Sequence, residues 1–445
     1  MSRDRVGRDA PRETRGSAAG FAGRKRTALL IFVSMLAIYF FSFFQRVAVP
    51  GTIFDELQSA FAASAGAITG LGAIYLYIYG VMQPVTGILS DRLGAARVVL
   101  VGGLFLSVGS VLFPLAHSLP ALYAARALVG LGASLIYVSV VKAIDELFHS
   151  DHFVMFLGLA IFLGYSGGLA GTYPFERLVS AVGWRTGLLA AGIACAGALV
   201  GAYILFHRTG QLEPRSSGNS LRAIVAVLRN RDSWPNLLTS FGNFAVYFLV
   251  QATIGKKFLT DYAGLSSAAA AAFTCAMMFT VMCMALVGGF VCRMLGNRRK
   301  PLVIAAIGCV LAAVGLMLLV LRFDAGGKWF LPCYILLACS SIGSAAGSAL
   351  MKELNPPDAV GTSLGILNGS CYLAVALVSS AAGTIMDHFQ SQTVRTAAAL
   401  VYPKQAYQSI FLLCLALSFG ALVVACFIRE TRGRNQVDSY EPEAG

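Results

Sequence analysis

Arg46 is the residue with the most chemistry to offer. It stands in Phe43-Phe44-Gln45-Arg46-Val47-Ala48-Val49-Pro50, inside an apolar stretch long enough to cross a membrane. A guanidinium at membrane depth is costly, so it must face the bundle interior or water and have a partner. Its planar fork suits bidentate recognition of a carboxylate or phosphate. The competing reading is an arginine that snorkels to the outer interface and pairs with Asp55 or Glu56. Gln45 precedes it. Tyr75 and Tyr79 share a helical face with Gln83 one turn on, and Tyr137, Tyr165 and Ser166 add polar tips. In the second half of the chain Asn243, Tyr247 and Gln251 recur every four residues, as do Asn368 and Tyr372. An aromatic stripe alone is also a packing pattern, but amides on one helical face at membrane depth need an aqueous or protein partner. These residues form the candidate substrate-binding set.

A second set of charges sits where the chain leaves the apolar stretches. Gly87-Ile88-Leu89-Ser90-Asp91-Arg92-Leu93-Gly94-Ala95-Ala96-Arg97 reads as a tight charged hinge, in which Gly87 and Gly94 permit close approach and reversal. The pattern returns 201 residues later, with Gly288, Arg293 and Arg298 in the places of Gly87, Arg92 and Arg97, and Cys292 in that of Asp91. A hinge repeated at half the chain length implies two homologous halves. Asp145 and Glu146 are expected close to Arg92 and Arg97, and by the repeat Glu353 should meet Arg293 or Arg298. Such pairs would hold one face shut in one of two states. Arg126, several residues inside its apolar stretch, is either a gate or relay charge or a donor to the carbonyls of neighbouring helices.

The first hinge resembles the signature loop of the major facilitator superfamily of transporters. Arg126-Ala127-Leu128-Val129-Gly130-Leu131-Gly132-Ala133 is similar to the superfamily's helix 4 pattern. Gly164-Tyr165-Ser166-Gly167-Gly168-Leu169-Ala170-Gly171 with Pro174, followed by Gly183-Trp184-Arg185, resembles its Gly-rich helix 5 and the run into helix 6. The resemblance covers about residues 27 to 431. It implies an all-α polytopic membrane protein, with two pseudo-symmetric six-helix bundles around a central cavity and alternating access. The stretch around Arg46 also looks similar to helix 1 of the organophosphate:phosphate antiporters, whose comparable Arg binds the anion. Those proteins carry a second Arg in helix 7, and Val246-Tyr247-Phe248-Leu249-Val250-Gln251 has none, which favours a monoanionic carboxylate over a phosphate ester.

The elements that must position these residues follow from composition. Hydrophobic residues make up 57% and charged residues 12% of the 445, and mean hydropathy is +0.73, which excludes an ordinary soluble domain. The chain divides into a basic tail over 1–26, disordered by composition, a six-helix bundle over 27–206, a polar linker over 207–234, a second bundle over 235–428 and a short tail over 429–445. Helix 1 is expected over 27–49, ended by Pro50-Gly51, with Asp55 and Glu56 in the loop beyond. The others are expected over 66–89, 97–116, 120–142, 153–173, 186–206, 235–254, 267–291, 301–321, 330–351, 361–385 and 407–428. Leu221 to Leu228 suits a short amphipathic helix on the membrane surface.

Twelve crossings put both ends on one side. Of the 34 Lys and Arg, 24 fall on the hinge side, so the positive-inside rule makes the hinges and both termini cytoplasmic. The net charge of +13 is then topology and lipid attraction, and no nucleic-acid partner is expected. Lys256 and Lys257 are expected as a solvated pair at the outer mouth of helix 7. The ten Cys, among them Cys195, Cys275, Cys309 and Cys414, lack metal-ligand spacing and read as packing residues. No phosphate loop, carboxylate dyad or metal cluster appears, so no enzyme activity and no cofactor are expected.

No acid falls within a predicted helix, which disfavours proton symport unless Asp55 or Glu56 folds inward. The reading is a monomeric secondary transporter of a bacterial-type inner membrane, moving a small organic anion, with a counter-transported ion as a further possible partner. A multidrug extruder and a non-transporting nutrient sensor are the rival classes.

Overall fold

In a hydrocarbon solvent each apolar run must satisfy its own main-chain groups, and a helix does so within the segment. The computed structural model describes residues 14–148, 153–212, 220–356, 360–396 and 400–436. The first half holds α1 (Thr14–Val47), α2 (Phe54–Phe61), α3 (Ala65–Leu93), α4 (Ala95–Leu115), α5 (Leu119–Ser134), α6 (Tyr137–Leu147), α7 (Phe153–Ala170), α8 (Tyr173–Val182) and α9 (Trp184–Arg208). The second holds α10 (Ser220–Arg229), α11 (Trp234–Leu249), α12 (Gly255–Asp261), α13 (Ser267–Met294), α14 (Lys300–Arg322), α15 (Phe330–Cys339), α16 (Ser344–Glu353), α17 (Val360–His388) and α18 (Lys404–Ala425). A two-residue hairpin, β1 (Val394–Arg395) antiparallel to β2 (Leu400–Val401), precedes α18.

Among the described residues, eleven helical stretches are long and apolar enough to cross a membrane. The 18-residue α7 takes the place of the expected fifth crossing. The halves meet where α3 packs on α17 and where α7 and α8 pack on α13. The α3–α17 crossing depends on glycine: a Cβ on Gly369 would lie 2.8 Å from the carbonyl oxygen of Gly80.

Both halves break their first crossing in the same way. A wide π-type turn, Ala48–Thr52, follows α1, and another, Val250–Ile254, follows α11, 202 residues later. The two turns touch. A Cβ on Gly51 would meet the carbonyl oxygen of Ala252 at 2.5 Å, so only glycine allows the two main chains this close.

Several expected boundaries move. Helix begins at Thr14 within the tail expected to be disordered, while residues 1–13 lie outside the described ones. α1 ends at Val47, and the chain kinks through the wide turn where Val49 adopts extended angles before Pro50. The hinge shrinks to one residue: α3 runs through Gly87 to Leu93, and Gly94 at φ +85° alone reverses the chain. The fifth crossing stops at Ala170 and a new helix, α8, starts at Tyr173 with Pro174 in its first turn. α10 buries Val227 against Leu237 and Met351 of the second bundle, so it packs on protein through that residue.

Candidate substrate site and closing face

Two arginines meet where α1 breaks. Extended angles at Val49 strip carbonyls near the break of their helical partners, and Arg126 of α5 supplies replacements. Its Nε donates to Leu71 O at 3.3 Å, Nη1 to Gln45 O at 3.0 Å and Nη2 to Val49 O. The structure gives Arg126 the carbonyl-donor contacts, with every nitrogen of its fork used within its own bundle. Gln45, a substrate-binding candidate, contributes its main-chain oxygen to this brace.

Arg46 is only 2% exposed and sits in a box of rings. Its Nε donates to the Tyr75 hydroxyl at 3.1 Å and its Nη1 to that of Tyr372, which comes from the other half. The guanidinium carbon lies 4.3 Å from the Phe43 centroid, 4.5 Å from that of Tyr79 and 4.7 Å from that of Tyr372. Nη2 is buried without a hydrogen-bond partner. No carboxylate is paired with Arg46 among the described residues. It does not snorkel.

Tyr372 is the hub, edge-on to Tyr79 at 4.5 Å and to Phe244 at 5.1 Å, with Phe248 at 6.1 Å. Tyr165 packs on Phe43 at 5.1 Å. Tyr137 lies one layer back, stacked on Tyr39 at 5.8 Å, which in turn meets Phe43. Gln83 and Asn368 bond to each other across the halves at 3.0 Å, and Gln83 also donates to Ser134 O at 3.3 Å. On α11, Tyr247 is buried, and beyond it Gln251 is 3% exposed with neither amide atom bonded. The Asn243 carbonyl oxygen is also buried and unpartnered.

The face away from the termini is closed by charge. Lys256 and Lys257, expected to be solvated, are 5% and 1% exposed, because α2 and α8 fold over them. Lys256 donates to Thr52 O and pairs with Glu176 of α8 at 2.5 Å. Lys257 pairs with Asp55 of α2 and Asp261 of α12, each at 2.7 Å. Asp261 also accepts from Tyr402 N at 2.9 Å and the Tyr407 hydroxyl at 2.7 Å. Gln58 reaches the Tyr402 hydroxyl at 3.0 Å. Asp387 of α17 accepts from Ser64 Oγ at 3.1 Å and Gly66 N at 2.9 Å, again across the halves. Burial pushes the Glu56 carboxyl above the usual carboxylate range against the pull of Lys256, with Glu176 and Asp55 adding to the rise.

On the opposite face Glu353 meets Arg299 at 2.9 Å, and not Arg293 or Arg298, which are exposed. The turn lies just before it: Gly296 and Asn297 both take positive φ, and the fork that turns inward is that of Arg299, one position beyond Arg298. Arg299 Nη1 also contacts Cys292 Sγ at 2.7 Å, so this cysteine does more than fill space. Burial opposes the charge on Arg299, but Glu353 and Cys292 hold its pKa above the ordinary value. The side chains of Asp91 and Asp145 lie outside the described ones; Arg92 and Glu146 are exposed and Arg97 half-buried.

The model of the Major Facilitator Superfamily matches residues 31–343. The chain belongs to that superfamily. It is 28% identical over 314 residues to human monocarboxylate transporter 11, covering 67% of this chain and 63% of that one. To the mouse monocarboxylate transporter 11 it is 32% identical over 143 residues, 32% of each chain. The chain thus spans less than two thirds of the length of these curated relatives. Among solved structures, a POT family transporter in complex with 5-aminolevulinic acid gives a TM-score of 0.74 at 12% identity, covering 91% of this chain and 96% of that one. A D-xylose-proton symporter gives 0.70 at 16% identity, covering 92% and 99%. At these identities the structures share the fold.

Within this superfamily member, sequence reasoning missed Glu176, Asp261, Asp387, Arg299 and the rings of Phe43, Phe244 and Phe248. One signal was present. Adding 201 to Asp55 and Glu56 gives Lys256 and Lys257, so the repeat places an acid pair and a lysine pair at equivalent positions.

Proposed function

We propose that the chain is an alternating-access transporter of a small organic monocarboxylate, with Arg46 as the anion anchor. The observation that supports this most is the buried guanidinium of Arg46, one nitrogen unpartnered and no acid beside it. A buried cation without a counter-ion is stable only if something completes it, and a carboxylate matches the fork. One guanidinium neutralises one negative charge, which favours monoanions over phosphate esters. The rings of Phe43, Tyr79, Phe244 and Tyr372 enclose the apolar body of the solute. Asn243, Gln251 and the Gln83–Asn368 pair offer hydrogen bonds to its far end. Relatives named monocarboxylate transporters accord with this reading.

The protein works as a monomer in a bacterial-type inner membrane, with both termini and the Arg299–Glu353 face in the cytoplasm and the lysine face outside. Arg299, Glu353 and the charges at Asp91, Arg92, Arg97, Asp145 and Glu146 bias the closure of the cytoplasmic face.

Thermal unfolding of the purified protein with panels of small carboxylates, phosphorylated metabolites, sugars and lipophilic cations tests the reading. A ligand at a hundred times its Kd stabilises the folded state by about 2.7 kcal/mol. Monocarboxylates should raise Tm in the parent and not in Arg46→Ala. Stabilisation only by cations or neutral compounds, unchanged in Arg46→Ala, would replace the anion reading with that of a multidrug extruder.

A further inference from the structure

The closing face holds more acid than it can pair. Asp55 and Glu56 of α2, Glu176 of α8 and Asp261 of α12 gather around two lysines, Lys256 and Lys257 of α12. Tyr402, Tyr407, Gln58 and Asp387 add hydroxyls, an amide and a further acid; of the other cations on this side, Arg185 lies over the Phe61 ring and donates to Pro114 O and Ala116 O, Lys404 pairs with Asp324, and Arg177 and Arg395 are exposed. Three of the four acids are accounted for. Glu176 has Lys256, and Asp55 and Asp261 share Lys257 and its neighbours. Glu56 is the remainder: its Oε2 is buried with no hydrogen-bond partner, and only a main-chain N–H and the field of Lys256 support its charge against burial, Glu176 and Asp55. A carboxylate oxygen without a donor is far more costly to bury charged than protonated.

The elements carrying these groups come from both halves. α2 and α8 belong to the first and α12 to the second, so the four-to-two excess exists only while the halves are together on this face. Separation returns Glu56 to water, where it ionises at an ordinary pKa.

We propose that Glu56 is a proton-binding site built by closure of this face, so that each closure takes one proton from solvent on that side. The inference rests on the reading of the chain as an alternating-access transporter. The step balances simply: the Glu56 carboxylate and one solvent proton give the neutral acid, and opening returns the proton. The sign follows from the same linkage. The closed state has the higher Glu56 pKa, so falling pH favours closure and rising pH favours opening.

Spin labels at Ala60→Cys and Ser391→Cys, both exposed on this face and on opposite halves, report the separation by pulsed dipolar spectroscopy in a Cys426→Ser background. The protein is reconstituted without solute and measured from pH 5 to pH 9. The closed-to-open ratio should rise by up to tenfold per pH unit as pH falls between the open and closed pKa values of Glu56. Glu56→Gln should remain closed across the range, and Glu56→Asp, which keeps the acid, should retain the slope. A parent ratio independent of pH, or a Glu56→Gln ratio with the parent's slope, would overturn the proposal. The readout needs no solute, so a titrating gate in a protein that no carboxylate stabilises would break the substrate reading and leave the proton site standing.

Discussion

Arg46 and Arg126 are both buried guanidiniums in the first bundle, within a few residues' reach of the same helix break, and their surroundings are opposite. Arg126 spends its fork on three carbonyls of Leu71, Gln45 and Val49. Arg46 has two hydroxyls, a wall of rings and one idle nitrogen. A saturated cation is part of the scaffold, whereas the unsaturated one is the anchor we propose for an anion. The same logic separates the ring box from the closing face: there a cation has no acid beside it, and here one oxygen of Glu56 has no donor.

The largest effect that would break this contrast is at Arg126. Arg126→Ala should strip three main-chain carbonyls of their donor and lower stability by about 3 kcal/mol, near 1 kcal/mol per lost bond, in detergent unfolding. Should that variant instead unfold like the parent and bind carboxylates more weakly, Arg126 would belong to the site and the contrast would fail. A smaller effect is expected at Arg46→Lys. An ammonium keeps the charge but loses the fork and the stacking, so binding by titration calorimetry should weaken by about 2 kcal/mol. Affinity equal to the parent's would mean that charge alone selects the solute. The smallest concerns Gln251→Leu, which removes a buried amide with no partner. It should raise unliganded stability by about 1 kcal/mol and weaken carboxylates that carry a second polar group, but not plain alkyl acids. Equal loss for both classes would remove Gln251 from the solute's far end.

Much of this was legible in the chain itself. Twelve apolar runs, a 201-residue repeat and two arginines inside apolar runs are patterns of the chain itself, and such patterns survive without coordinates. The match of Tyr75, Tyr79 and Tyr372 to Arg46 was partly legible, because helical spacing places residues on a face but says nothing of which helix that face meets. Lys256 and Lys257 were misjudged for a related reason. Their sequence neighbours are those of a loop mouth, and only the packing of α2 and α8 from the other half removes water from them.

The sequence by itself determined the solvent, the number of crossings, the duplication and the cost of burying Arg46, since hydropathy and charge are properties of residues one at a time. Tertiary structure alone decided which buried charge is satisfied. Arg46 and Arg126 look alike in the chain, and so do the acids at 55 and 56. Their difference lies in whether a carbonyl, a hydroxyl or a lysine from a distant segment arrives within hydrogen-bond distance in a medium too apolar to supply a substitute.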